Sequence, residues 1–312
     1  MLEPPDVLVL GGGGVLGEAW MAAVLAALEE STGWDSRNCE SYLGTSAGSI
    51  VAAWLAAGVS PRSRVGRMPD APSAGHDGER SRRGALGDVL HAGRAAGLLT
   101  AAPLAALGLR STAAGGALAR RVALSRLPRG RRSLGSLREQ VDATGVSWDS
   151  GLLISAVEVE SGRRVMFGTP ESPTASVGQA VEASCAIPGY FRPVEIGGRG
   201  YVDGGAWSPT NMDAAPVARG TRVLCLNPTG SMKPSRSSPA GALGPLSRSI
   251  AGVEALTLRR RGAEVTTVSP DADTVAAIAG NLMDSRRRGA VTAAGVAQGR
   301  ALARTEQKRG SR

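Results

Sequence analysis

Three short stretches of the chain carry residue types that do chemistry. Gly44-Thr45-Ser46-Ala47-Gly48 sets a serine between glycines. Asp203 stands in Gly200-Tyr201-Val202-Asp203-Gly204-Gly205, and Gly11–Gly14 followed by Val15-Leu16-Gly17 is a glycine-rich run. A serine in G-x-S-x-G on a sharp strand-to-helix turn projects its hydroxyl at a helix N-terminus, where developing negative charge is favoured. Gly44 and Gly48 keep side chains out of that turn. A serine nucleophile needs a proton acceptor. The chain has two histidines, His76 and His91, and none after residue 91, which excludes the Ser…Asp/Glu…His order. A carboxylate acting directly on the serine is the alternative, provided a desolvated pocket raises its basicity. Asp203 is the best candidate: it closes a short strand, and Gly204 and Gly205 permit close approach.

Four consecutive glycines are costly to order, because glycine loses the most backbone freedom on folding. A strand, a glycine turn and a helix start present backbone N–H groups to an anion. That anion is either a bound phosphate or the transient oxyanion of acyl transfer. Gly12 to Gly17 satisfies G-x-G-x-x-G, the dinucleotide fingerprint, but that motif expects an acid ending the second strand. Here the second strand leads into Gly44-Thr45-Ser46 instead. Two plainer readings stand beside the chemical ones: Ser46 as a simple helix N-cap, and Asp203-Gly204 as a type I′ hairpin turn.

These residues need a frame to position them. Periodicity predicts strands at Val7–Leu10, Ser41–Gly44, Leu152–Glu160, Arg164–Phe167, Gly200–Val202, Arg222–Leu226 and Val265–Val268. Helices are expected at Leu16–Glu30, Ala47–Ala57, Ser136 to about Gly145, Val177–Ser184, Gly244–Arg261 and Met283–Arg304. Interleaved strands and helices imply a mostly parallel sheet covered on both faces, an α/β protein whose length allows one large domain or two smaller ones. From 61 to 133 the pattern dissolves into an Arg/Ala-rich insertion, read as disordered over 61–84 and weakly helical over 85–127.

The +9 net charge of the 312 residues is concentrated in that insertion. Residues 62–132 hold 14 arginines and four acids, a balance of +10, while the remainder sums to about −1 (22 basic, 23 acidic). The stretch 95–109 is apolar but shorter than the roughly 20 residues of a membrane span. With flanking arginines it suits an interfacial element or lid at anionic lipid, along 85–132. The insertion has no aromatic side chain to stack on bases, so no nucleic acid is expected. Three widely spaced cysteines and an N-terminus without a basic leader predict a soluble, cytoplasmic protein, peripheral at most to a membrane.

Taken together, these motifs resemble the patatin-like phospholipase family. The resemblance rests on Gly12–Gly17, Gly44–Gly48 and Asp203–Gly205 in that order. It also rests on Ala183-Ser184-Cys185-Ala186-Ile187-Pro188-Gly189-Tyr190-Phe191-Arg192-Pro193-Val194, which is similar to the family's segment before the aspartate. It implies a three-layer α/β/α fold and a Ser–Asp dyad acting on acyl esters of lipids, with no cofactor and no metal. Carried over by position, Ser46 is the nucleophile and Asp203 the base. Gly12, Gly13 and Gly14 supply oxyanion-hole amides, with Gly17, Gly44, Gly48, Gly204 and Gly205 in support. The chain departs from the family at Leu16, where many members carry Arg or Lys, and along Ala206–Asn211. The competing reading is a non-catalytic nucleotide- or anion-binding α/β module that uses the same glycine loop.

Overall fold

Val7–Leu10 forms strand β1, four apolar residues buried on both faces, as a central strand of a covered parallel sheet requires. In the computed structural model, residues 4–65, 114–128, 130–232 and 243–310 are described. Along them follow helix α1 (Gly14–Thr32), β2 (Ser41–Thr45), α2 (Ala47–Ala56), α3 (Pro61–Val65), α4 (Ala114–Arg126) and α5 (Gly135–Asp142). Then come β3 (Leu152–Glu158), β4 (Arg164–Phe167), α6 (Val177–Ser184), β5 (Val194–Ile196), β6 (Arg199–Asp203) and β7 (Arg222–Leu226). The chain closes with α7 (Leu243–Arg260), β8 (Glu264–Val268), α8 (Ala272–Ile278) and α9 (Arg288–Gly310).

All eight strands join one sheet in the order β5-β6-β3-β2-β1-β7-β8, with β4 also on β3. Pairings from β3 through β2, β1 and β7 to β8 are parallel. The β3–β4, β3–β6 and β5–β6 pairings are antiparallel. The sheet is therefore mostly parallel, with one antiparallel flank.

Strand alternation sends two sets of side chains to opposite layers. Leu8, Leu10, Tyr42, Ile154, Ala156 and Tyr201 pack with residues of α1, α2 and α6. Val7, Val9, Leu43, Val223 and Cys225 pack with Ala251, Ala255 and Leu258 of α7. Each such buried aliphatic side chain contributes on the order of 2 kcal/mol of burial free energy. Helix α1 is apolar all round because α9 covers the side the sheet leaves open. Gly295 and Gly299 let the two helices approach: a Cβ there would stand 2.9 Å from Ala23 Cβ and 2.7 Å from Ala27 Cβ.

Within the expected insertion, 61–65 and 114–126 are helical; residues 66–113, with His76, His91 and the apolar stretch 95–109, lie outside the described residues. Helix α4 is pinned by the buried Arg120, whose guanidinium donates to the carbonyls of Ala206 and Gly162 and lies 4.1 Å from the Trp207 ring centre. Among the described residues no helix is long and apolar enough to cross a membrane.

Candidate active site

Strand β2 runs directly into α2 through Ser46, whose backbone takes φ 51°, ψ −123°. A non-glycine residue with positive φ costs about 1–3 kcal/mol, and the surroundings must enforce it. Here the flanking glycines do so. A Cβ at Gly48 would collide with the Leu10 carbonyl, and one at Gly44 with the Ser49 backbone. The Ser46 N–H donates to Ser184 Oγ (2.8 Å), and Ser49 Oγ donates to the Ser46 carbonyl (2.6 Å). Ser46 occupies the N-cap position, yet its side chain makes no capping hydrogen bond. The hydroxyl points elsewhere.

Its partner arrives through the pairing along β3. Ile154 and Ser155 pair with β4 on one edge and with Gly44 and Thr45 of β2 on the other. One residue on, Ala156 keeps β4 on the first edge and takes Asp203 of β6 on the second. Strands β2 and β6 run in opposite senses and meet end to end on the same edge, about one 3.3 Å rise apart. Ser46 Oγ consequently donates to Asp203 Oδ2 at 2.7 Å.

Asp203 is 7% exposed, and Asp203 Oδ1 accepts the Gly205 N–H at 2.7 Å. Burial pushes its carboxyl up to about 6, against the opposing pull of the hydrogen bonds from Gly205 and Ser46. The segment after it is a 3₁₀ turn, Gly204–Ala206, in place of a hairpin. Gly204 has no room for a side chain, since a Cβ would overlap Ser155. Beneath lies Asn211, buried with φ 50°. Its amide nitrogen donates to Ser208 O (2.7 Å), Thr45 Oγ1 (3.1 Å) and Ser155 Oγ (3.1 Å), tying the end of β2 and the middle of β3 to the loop after Asp203.

The glycine loop lies against this pair. A Cβ at Gly12 would stand 3.5 Å from Ser46 Cβ. Gly11 N–H donates to Leu226 O (2.9 Å), Gly12 N–H to Pro209 O (2.8 Å) and Leu16 N–H to Leu282 O (2.9 Å). The expectation for Gly12 is thereby revised: its amide is committed to Pro209, and the residue contributes by being small. The amides of Gly13, Gly14 and Ala47 donate to no group among the described residues. Gly13 and Gly14 stand at the start of α1, and Ala47 at the start of α2, so all three carry the positive end of a helix dipole.

The sequence profile of patatin-like phospholipases matches residues 8–216. The chain belongs to this family. Patatin-like membership supports lipid hydrolase activity, and the three-layer α/β/α arrangement is the one the family resemblance implies. A comparison with curated proteins finds no match. Among solved structures, the chain is similar to VipD from Legionella pneumophila, at 16% identity and TM-score 0.43, covering 97% of this chain and 67% of that one. It is also similar to the type III effector protein ExoU, at 17% identity and TM-score 0.37, covering 96% of this chain and 54% of that one. The structure of full-length SpcU with full-length ExoU, from the type III secretion system of Pseudomonas aeruginosa, gives 22% identity and TM-score 0.34, with 92% and 52% covered. The chain thus spans about half the length of the ExoU chains.

Against this patatin-like frame, Ser46, Asp203 and the glycine loop come together from separate parts of the chain. Two contributors escaped the motif reading. Ser184 was legible only as part of the Ala-Ser-x-Ala-Ile-Pro-Gly run, and Asn211 only as a polar residue in a divergent stretch. Leu16, where many patatins carry a cation, is buried. Among the described residues, no cluster of three or more His, Cys, Asp or Glu side chains could hold a metal ion.

Proposed function

We propose that the chain is a lipid acyl hydrolase of phospholipase A or lysophospholipase type, a single patatin-like domain working through a Ser46–Asp203 dyad. The observation that supports this reading is the 2.7 Å hydrogen bond from Ser46 Oγ to a buried carboxylate, set beside unpaired amides at two helix starts. Asp203 takes the Ser46 proton while Oγ adds to the ester carbonyl carbon, and the carbonyl oxygen becomes an oxyanion held by the amides of Gly13, Gly14 and Ala47. Collapse of that intermediate breaks the bond to the alcohol or lysolipid, which leaves with the proton from Asp203. Water, deprotonated by Asp203, then attacks the acyl-enzyme and releases the fatty acid, returning the proton to Ser46. Each well-aimed oxyanion donor is worth about 3 kcal/mol, so the loop matters nearly as much as the dyad.

The substrate's source fits the basic region. Helix α4 exposes Leu118 and Val122 beside exposed Arg121 and Arg126, a pairing suited to the surface of an anionic bilayer. On this reading the protein works in the cytoplasm, peripheral to that surface through 85–132. The test is a hydrolysis screen across phospholipids, lysophospholipids and short-chain esters. Wild type is expected to release fatty acid, with Ser46→Ala and Asp203→Asn inactive and folded. Equal turnover in Ser46→Ala overturns the dyad. Absence of any hydrolysis together with tight binding of a nucleotide or phosphate replaces the enzyme with the anion-binding module.

A further inference from the structure

A loop of four glycines cannot hold its own shape, because each residue has the largest backbone entropy to lose. The direction of the free Gly13 and Gly14 amides therefore depends on what grips the loop from outside. One grip is Pro228 after β7: a Cβ at Gly13 would lie 2.5 Å from the Pro228 ring and one at Gly17 3.0 Å. The other comes from the connection between α8 and α9, over Asn281–Arg287, and from Arg288, which opens α9. Leu282 O accepts the Leu16 N–H at 2.9 Å. Met283 Sδ fills the space on Gly14, 2.5 Å from where a Cβ would stand, and Gly14 itself has φ 58°. Asn281 Oδ1 accepts the Met283 N–H at 3.0 Å, which fixes the bend that delivers both residues.

Charge points the same way. Glu18 lies in the second turn of α1 and is 1% exposed. Unpaired, its carboxylate would oppose any negative charge forming at the start of that helix. Arg288 pairs with it and also reaches Val15 O (3.5 Å), and Arg64 stands 3.6 Å away.

We propose that Leu282, Met283 and Arg288 are positioning residues for the oxyanion loop, so that a segment beyond the family-matched 8–216 is needed for turnover. The inference rests on the dyad reading, which assigns the Gly13 and Gly14 amides to the oxyanion. These residues act through the loop, and touch no reacting atom themselves.

The test compares the 312-residue wild-type chain with Met283→Ala, Met283→Leu and Arg288→Met, each normalised to its folded fraction by circular dichroism. Met283→Ala and Arg288→Met are expected to lower kcat by about 10- to 100-fold, short of the 10²–10³ of a lost donor, with KM within about twofold. Fluorophosphonate inactivation should slow in parallel, and hydrogen exchange of the peptide spanning 11–19 should rise. Met283→Leu, which refills the same space, should recover most of the loss. Wild-type kcat in both variants, a change confined to KM, or unaltered exchange of that peptide overturns the positioning role. Wild type that neither labels nor hydrolyses fails the dyad reading itself, and the inference with it.

Discussion

Replacing Asp203 by asparagine separates what the buried carboxylate costs the fold from what it does for the reaction. Desolvation raises this carboxyl from its ordinary 3.8 to about 6. Its folded-state pKa then lies above the unfolded one, so the folded chain holds the proton more tightly. The associated stability is full at low pH and is lost as pH climbs from about 4 to about 6. At 1.36 kcal/mol per pKa unit the loss comes to about 3 kcal/mol. Asparagine keeps the shape: its Oδ1 can accept the Gly205 N–H and its Nδ2 can face Ser46 Oγ, with no charge to desolvate. Asp203→Asn is therefore expected to match wild type near pH 4 and to exceed its stability by up to about 3 kcal/mol above pH 7, while losing esterase activity. Urea unfolding of both proteins across this range measures the difference. A difference that does not change with pH, or a variant less stable than wild type at neutral pH, refutes desolvation as the source of the aspartate's basicity.

The same carboxyl sets a pH–rate profile: kcat/KM for a neutral short-chain ester should climb to a plateau through an apparent pKa near 6. Activity already maximal at pH 4.5 contradicts Asp203 as the base. Ser184→Ala strips the acceptor from the half-buried Ser46 N–H; a loss of about 1 kcal/mol in unfolding free energy is expected. A drop in kcat of about tenfold should accompany it, both checked on the purified variant. Gly48→Ala drives a methyl into the Leu10 carbonyl. It should cost about 3 kcal/mol or more, since backbone cannot yield as a side chain does; thermal melting or failure to accumulate soluble protein reads it out.

The turn at Ser46 was legible because a strand-to-helix elbow imposes local rules. A serine between two glycines, after an apolar run and before a helix-forming one, leaves its mark within five residues. What escaped was non-local. Nothing in Arg199–Asp203 says that it will abut β2 on the same edge of β3, yet that register alone puts residue 203 beside residue 46. The Gly12 amide is likewise taken by Pro209, a residue from the loop after Asp203. Some elements were too short for periodicity to speak. Strand β5 has three residues, and α8 has seven, announced only by the Asp271 side chain that caps Thr274 N–H. The last helix begins at Arg288, five residues after the expected Met283, because Asn281 and Asp284 turn their side chains onto the following amides and hold a bend there. Helix α1 starts two residues early, since Gly14 accepts a positive φ that a side chain would resist.

On the proposed mechanism, residues 46 and 203 form a working nucleophile and base. Reaction with a fluorophosphonate followed by peptide mass mapping tests it most directly. One adduct is expected, on Ser46, absent from Ser46→Ala and forming much more slowly in Asp203→Asn. An adduct on another residue, or labelling of wild type no faster than of Asp203→Asn, would contradict it.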